Sequence, residues 1–300
     1  AAVMAVAFWS GYVPFVMPPP ARQRLVGTEE ADTLLGPDDV ILGLIHGGDV
    51  RAYSRDAIAR PHYFTDTVGG TPFTVSYCIL CNSGIAFKNE LNGKPLNLKC
   101  VTAFNNNIIY LDKNSGNFTQ QLDGSVFFGP DAGAALDSQP VVFATWSEWK
   151  TLHPDTRLYH APDITLRDKI VSLMLRLMIP IRKLAARAKP WHRIKGTLDD
   201  RLPAISLVLG VERNGDSCGY PLNGLADAPV INDTVGGVPV IVLYNRERDV
   251  AEVFSRRVGA RELTFNPAGG ARDDIIATDA ETGSSWDVTG AAVAGELEGA

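Results

Sequence analysis

His62, Cys78 and Cys81 are the residues of this chain best suited to chemistry. A Cys-x-x-Cys with a histidine sixteen residues upstream offers two thiols and an imidazole. Such donors suit Zn²⁺ or copper far better than Mg²⁺ or Ca²⁺, which prefer oxygen. Three ligands leave a coordination position open, where a metal activates water or binds a redox substrate. The same cysteine pair also fits thiol-disulfide exchange. Redox Cys-x-x-Cys pairs, however, usually sit at a helix N-terminus that lowers the thiol pKa, whereas this pair follows a strand-like run. The third reading is a non-enzymatic binding or assembly protein in which the cysteines are small core residues.

A comparison inside the chain sets these three residues apart. Thr65-Asp66-Thr67-Val68-Gly69-Gly70 recurs 167 residues later as Asn232-Asp233-Thr234-Val235-Gly236-Gly237. At the same offset Tyr53 meets Tyr220, Tyr77 meets Tyr244, Phe87 meets Phe254 and Asp112 meets Asp279. Spacing kept without a gap over about eighty residues reads as a duplicated fold unit. The differences fall on the donors: His62 meets Pro229, Cys78 meets Asn245 and Cys81 meets Arg248. A scaffold requirement would be shared by both copies, while a site requirement can belong to one.

The neighbours of these donors differ in the same sense. Thr74, Ser76 and Cys78 share one strand face, and their counterparts are Ile241, Leu243 and Asn245. A small polar face against a largely apolar one suggests a cavity in copy 1 and a filled core in copy 2. Asn105, Asn107 and Gln121 are amides suited to orienting a ligand, a bound water or a substrate, and Asp66 is a fourth candidate for such a contact. The turn decides the geometry. A two-residue Gly69-Gly70 loop sets His62 opposite Tyr77 and turns Cys78 to the other face. A three-residue loop, or a bulge, sets His62 opposite Cys78 and favours a joint site.

The elements around these residues read as mainly β. Short apolar runs alternate with Gly, Asn and Asp turns, as in Val40–Ile45, His46–Asp49 and Val50–Tyr53. The expected architecture is two tandem copies of an antiparallel β-rich unit, sandwich or barrel-like, with a few short helices and a basic linker helix. Thr145 is the expected N-cap of a short helix carrying Trp146 and Trp149. Copy 1 spans 21–160 and a basic amphipathic linker 161–198. Copy 2 spans 199–300, lacks the site and is truncated, without a counterpart of the Trp146–Thr156 segment.

Residues 163–189 place Leu166, Ile170, Leu173 and Leu177 at helical spacing among arginines and lysines, with Pro180 as a break. A linker helix packed on the domains, a helix lying on an anionic membrane surface and a helix that binds a partner protein are the competing readings. Residues 1–20 read as the remnant of a signal peptide or membrane anchor, which implies an extracytoplasmic, periplasmic or cell-envelope protein. Thiols there tend to be oxidised or metal-bound. A net charge of −6 gives no reason to expect a nucleic-acid partner. The expected partners are a small molecule or a metal.

The chain resembles a bacterial family of unknown function, DUF3179. The resemblance rests on the Asp-Thr-Val-Gly-Gly elements, Tyr77-Cys78-Ile79-Leu80-Cys81, the stretch from Asp112 to Gln121, and Thr145-Trp146-Ser147-Glu148-Trp149 with His153-Pro154-Asp155-Thr156. Asp199-Asp200-Arg201-Leu202-Pro203 and Glu281-Thr282-Gly283-Ser284-Ser285-Trp286-Asp287 also fit. The family pattern has a histidine before the Asn-Asp-Thr-Val element, a Cys-Pro-Leu-Cys-Gly loop and a tryptophan two residues before the glutamine. This chain matches it at His62, Cys78, Cys81 and Gln121 and departs with Ile79, Asn82 and Thr119. These departures leave the possible ligands in place, and the resemblance implies no activity.

Overall fold

A computed structural model describes residues 23–59, 61–79, 82–104, 107–160, 166, 170, 173, 201–203, 206–246, 250–269 and 275–300. The chain forms two compact units, Ala1–Val141 with Thr145–Ile205, and Val142–Ala144 with Ser206–Ala300.

In the first unit, Arg24–Val26 (β1), Val40–His46 (β2) and Asp49–Ser54 (β3) precede Tyr63–Val68 (β4), Thr71–Cys78 (β5) and Ser83–Lys88 (β6). A small hairpin, Glu90–Leu91 (β7) with Lys94–Pro95 (β8), leads to Leu98–Phe104 (β9), Asn107–Asp112 (β10), Phe118–Gln120 (β11) and Val126–Phe128 (β12). Ser138–Gln139 (β13) and Arg157–His160 (β15) follow; Val142–Thr145 (β14), between them in sequence, belongs through Val142–Ala144 to the second unit. The short helices are Thr28–Ala31 (α1), Arg55–Ile58 (α2) and Trp146–Leu152 (α3).

Strands β1, β15, β3 and β2 lie side by side in one sheet. A second sheet has the order β13-β6-β5-β4 and a third β12-β11-β10-β9. Among β1–β13 and β15 the described ladders are antiparallel, except that β15 runs parallel to β3. Strand β5 shows why there are three layers. Successive side chains of a strand point to opposite faces, and Phe73 through Cys78 are all buried. On one side Cys78 shares a core with Leu98, Cys100, Ile108 and Tyr110 of the third sheet. On the other side of that middle layer, Phe73 meets His46 of β2 edge-on at 4.9 Å, and Phe64 of β4 lies 5.1 Å from Tyr159 of β15. The unit is mainly β as expected, built of stacked sheets, and the described sheets do not close into a barrel.

The β4–β5 turn depends on glycine. Gly69 and Gly70 have φ of 54° and 75°, the pair of left-handed conformations that a two-residue type I′ turn demands. A Cβ on Gly69 would lie 2.3 Å from the His46 carbonyl oxygen, so the turn packs backbone to backbone on the β2–β3 turn. Helix α3 begins with the expected cap: Thr145 and Glu148 form a reciprocal capping box. Its Trp149 ring occupies the space left by the missing side chain of Gly43, where a Cβ would sit 2.2 Å from the ring.

The second unit has the hairpin Val208–Arg213 (β16) and Asp216–Pro221 (β17), then helix Leu222–Leu225 (α4). Val230–Val235 (β18), Val238–Asn245 (β19) and Val250–Ser255 (β20) form the next sheet. After a small hairpin, Arg257–Val258 (β21) with Arg261–Glu262 (β22), come Phe265–Pro267 (β23), Ala277–Asp279 (β24), Ser285–Trp286 (β25) and Ala292–Ala294 (β26), which form a four-stranded sheet. Strand β19 is again buried on both faces. Val240, Val242 and Tyr244 pack in one core cluster, Ile241 and Leu243 in another. The β18–β19 turn repeats the φ values of 54° and 75° at Gly236 and Gly237.

Of the linker helix expected over 161–198, Leu166, Ile170 and Leu173 are described. They are helical and exposed, at 75%, 51% and 59%. The expected signal or anchor remnant, 1–20, lies outside the described residues. Among those described, no helix is long and apolar enough to cross a membrane.

Candidate functional site

The β4–β5 ladder pairs Val68 with Thr71 and Tyr63 with Ser76. The loop therefore has two residues. The three-residue loop or bulge that would set His62 opposite Cys78 is not formed, because both glycines adopt the tight left-handed turn. His62 meets Tyr77 instead: the Tyr77 N–H donates to the His62 carbonyl oxygen at 3.0 Å. His62 precedes β4 and has φ +68°, so the strand alternation that would set it and Cys78 on opposite faces does not govern its side chain. A left-handed backbone at a residue other than glycine costs about 1–2 kcal/mol and persists only where neighbours hold it.

The neighbours are two hydroxyls from different strands. Ser76 Oγ lies 3.3 Å and Tyr110 Oη 3.1 Å from the His62 carbonyl oxygen, and the two hydroxyl oxygens are 2.6 Å apart. Ser76 and Tyr110 are both fully buried. At about 0.5–1.5 kcal/mol each, such hydrogen bonds match the cost of the left-handed backbone.

The imidazole is buried too, with Nδ1 3.3 Å from the Tyr77 carbonyl oxygen. A carbonyl only accepts, so Nδ1 carries the hydrogen and Nε2 the lone pair. Burial pulls the His62 pKa down to about 4, the Tyr77 bond opposing this only in part. The ring is neutral at pH 7, which is the form a metal ligand needs.

Cys78 is the last residue of β5 and faces Ser83 of β6 in the ladder. It is buried in the same core as Tyr110 and Cys100. Burial pushes the Cys100 thiol up to about 12, which leaves it protonated and unreactive. Cys81 and Asn105 lie outside the described residues. Among the described residues, no three His, Cys, Asp or Glu side chains gather as a metal-binding group.

Gln121 and Asn107 come together as one buried amide network. Gln121 Oε1 accepts from Asn107 Nδ2 and from Ser83 Oγ, each at 2.8 Å, and Gln121 Nε2 donates to the Ser83 carbonyl oxygen at 3.1 Å. Asn107 Oδ1 in turn accepts the Leu122 N–H at 3.1 Å. The network thus reaches the ladder partner of Cys78. Asp66 is not brought to it. It accepts from Tyr53 Oη at 2.9 Å and lies 3.5 Å from Arg51 Nε, tying β4 to β3. The pair Tyr220 and Asp233 repeats that bond at 2.8 Å, so it serves the scaffold.

The Thr74, Ser76 and Cys78 face is small and polar, as read from sequence, but it is not an open cavity. Ser76 is fully buried with the Tyr110 hydroxyl 2.6 Å from its own, and Thr74 Oγ1 donates to Asn89 at 3.0 Å. Sequence reasoning missed Tyr110 and Ser83. The signal for Tyr110 was present: its counterpart is Ala277, just as that of Ser76 is Leu243, so large and small exchange places. A rim of apolar side chains also went unread. Phe104, Leu122, Phe127 and Phe128 are 39–65% exposed, with Phe104 stacked on Phe127 at 6.3 Å.

With this geometry in view, the chain belongs to the DUF3179 family. The family pattern, described as "Protein of unknown function (DUF3179)", matches residues 13–300. No curated protein and no solved structure matches the chain.

Proposed function

With DUF3179 membership as the premise, we propose that the chain is an extracytoplasmic β protein whose first unit holds a copper or zinc ion through His62, Cys78 and Cys81. The observation that carries this reading is the state of His62. It is a buried, neutral imidazole on a left-handed backbone, with Nδ1–H directed at a carbonyl. Metal-binding histidines characteristically donate their second ring nitrogen in this way, which fixes the tautomer and leaves the other nitrogen as donor. Pro229 stands at the matching position of the second unit and offers none of this.

A metal held by one imidazole and two thiolates keeps an open position. There it supplies Lewis acidity to a water or a small substrate, or exchanges electrons as copper does, which would make the protein a metalloenzyme. Gln121 and Asn107 would orient the bound molecule. Thiol-disulfide exchange is the weaker reading. Cys78 is fully buried at a strand end, and exchange requires a sulfur open to attack.

The apolar segment before Pro18-Pro19-Pro20 supports a cell-envelope location. The exposed Leu166, Ile170 and Leu173, one helical face of a basic segment, support contact between 163–189 and an anionic membrane surface.

Elemental analysis of the freshly purified chain tests the metal site. The expectation is about one zinc or copper ion per chain, lost in His62→Ala, Cys78→Ser and Cys81→Ser while circular dichroism keeps its β signature. Undiminished metal in both cysteine variants overturns the reading.

A further inference from the structure

We infer that Ser76 and Tyr110 are positioning residues for His62: their hydroxyls clamp its carbonyl and so hold the left-handed backbone that aims the imidazole. The inference deepens the metal-site reading, although its geometry stands without any metal.

Three oxygens form a closed triangle with edges of 3.3, 3.1 and 2.6 Å. Two hydroxyl hydrogens serve these three approaches. One goes to the His62 carbonyl and the other to the neighbouring hydroxyl. The second lone pair of that carbonyl takes the Tyr77 N–H. Every donor is therefore used inside a fully buried cluster, as such a cluster requires.

The second unit shows what the scaffold needs without the clamp. The Pro229 carbonyl accepts the Tyr244 N–H at 2.8 Å, the counterpart of the Tyr77 bond. Leu243 and Ala277 stand where Ser76 and Tyr110 stand, and neither side chain has a donor. Proline cannot adopt a positive φ, so no left-handed residue has to be held there. Hydroxyls buried where an apolar pair would pack need a purpose, and the strained residue beside them supplies it.

The test uses the full chain labelled with ¹⁵N, first without added metal. Backbone coupling at His62 reports its φ, and the ring nitrogen shifts report its tautomer. Tyr110→Phe keeps the ring and removes the hydroxyl, and Ser76→Ala provides a second route should the first not fold. Tyr53→Phe, which removes a buried tyrosine hydroxyl from Asp66, is the control. In Tyr110→Phe and Ser76→Ala, His62 should move toward negative φ and its ring should become a mixture of tautomers. The control should match the wild type. Co²⁺, added as a spectroscopic probe, should bind roughly 10- to 100-fold more weakly to the two clamp variants. Unchanged φ and tautomer in both variants overturn the inference. A ring that responds in a protein that never binds Co²⁺, Zn²⁺ or copper supports the clamp and overturns the metal reading instead.

Discussion

Ser76 under Tyr110 in the first unit and Leu243 with Ala277 in the second occupy corresponding strand positions with opposite sizes. Both arrangements fill a core. Only the first contains hydroxyls, and only the first adjoins a left-handed residue. A bond that serves the scaffold, such as tyrosine to aspartate across the hairpin, appears in both units at 2.9 and 2.8 Å. At Ser76, Tyr110 and Gln121 the first unit carries polar groups, and the second carries Leu243, Ala277 and Val288 there. Trp286, at the position of Thr119, makes the same point. In the second unit the space is filled by an indole, whose N–H donates to Asp279 at 2.9 Å.

The largest effect is expected from emptying either core. Tyr110→Ala and Trp286→Ala should each cost about 3–5 kcal/mol, from lost burial and the cavity left behind, in urea unfolding. Ser76→Leu alone should cost about 1–3 kcal/mol by overpacking against Tyr110. The double variant Ser76→Leu/Tyr110→Ala imitates the second unit and should recover at least about 1 kcal/mol relative to additivity. Strict additivity would break the claim that the two positions exchange volume.

Acid and alkali should distinguish the units. The folded pKa of His62, about 4, lies below its ordinary value of 6.5. The unfolded chain therefore binds the proton first, and stability declines as pH falls from about 6.5 to about 4, by a few kcal/mol at most. Glu252 behaves oppositely. Burial raises its pKa from 4.5 to about 8, although its carboxylate accepts the Phe143 N–H at 2.7 Å. Its contribution is whole below pH 4.5 and declines as pH rises toward 8. Denaturation in chelator-containing buffer across pH should show the acid decline flattened by His62→Asn and the alkaline one by Glu252→Gln. The same pH profile in wild type and both variants would remove this distinction.

Smaller effects test the sameness of the units. Tyr53→Phe and Tyr220→Phe each remove one hydroxyl from a carboxylate and should cost about 1.5–3 kcal/mol, alike within about 0.5. A large inequality would argue against a shared scaffold. Smallest of all, Phe128→Ser on the exposed rim should change stability by under about 0.5 kcal/mol.

Much of this was legible beforehand for local reasons. Val68-Gly69-Gly70 declares a tight hairpin because few residues other than glycine take two left-handed conformations in succession. Thr145 and Glu148 declare a helix start by the spacing of their reciprocal bonds. Asn107 and Gln121 were legible as a polar pair beside the cysteine strand. The rest was hidden because it is not local. Nothing in a histidine announces a positive φ; Tyr77, Ser76 and Tyr110 impose it. Tyr110 reaches Ser76 from 34 residues away and from another sheet. The parallel strand Arg157–His160 joins Arg51–Tyr53 across most of the unit, and no alternation pattern specifies such a partner.

The exchange of Ser76 and Tyr110 for Leu243 and Ala277 has a consequence for how such sequences drift. Two well-packed solutions are separated by two substitutions, and either one taken first produces a clash or a void. Random change is therefore turned back at the first step, whichever position it strikes. Packing alone constrains the sizes of the two side chains, while their hydroxyls answer to the His62 carbonyl. The informative position is His62, whose strained backbone has no packing benefit of its own and has every reason to relax once nothing needs it.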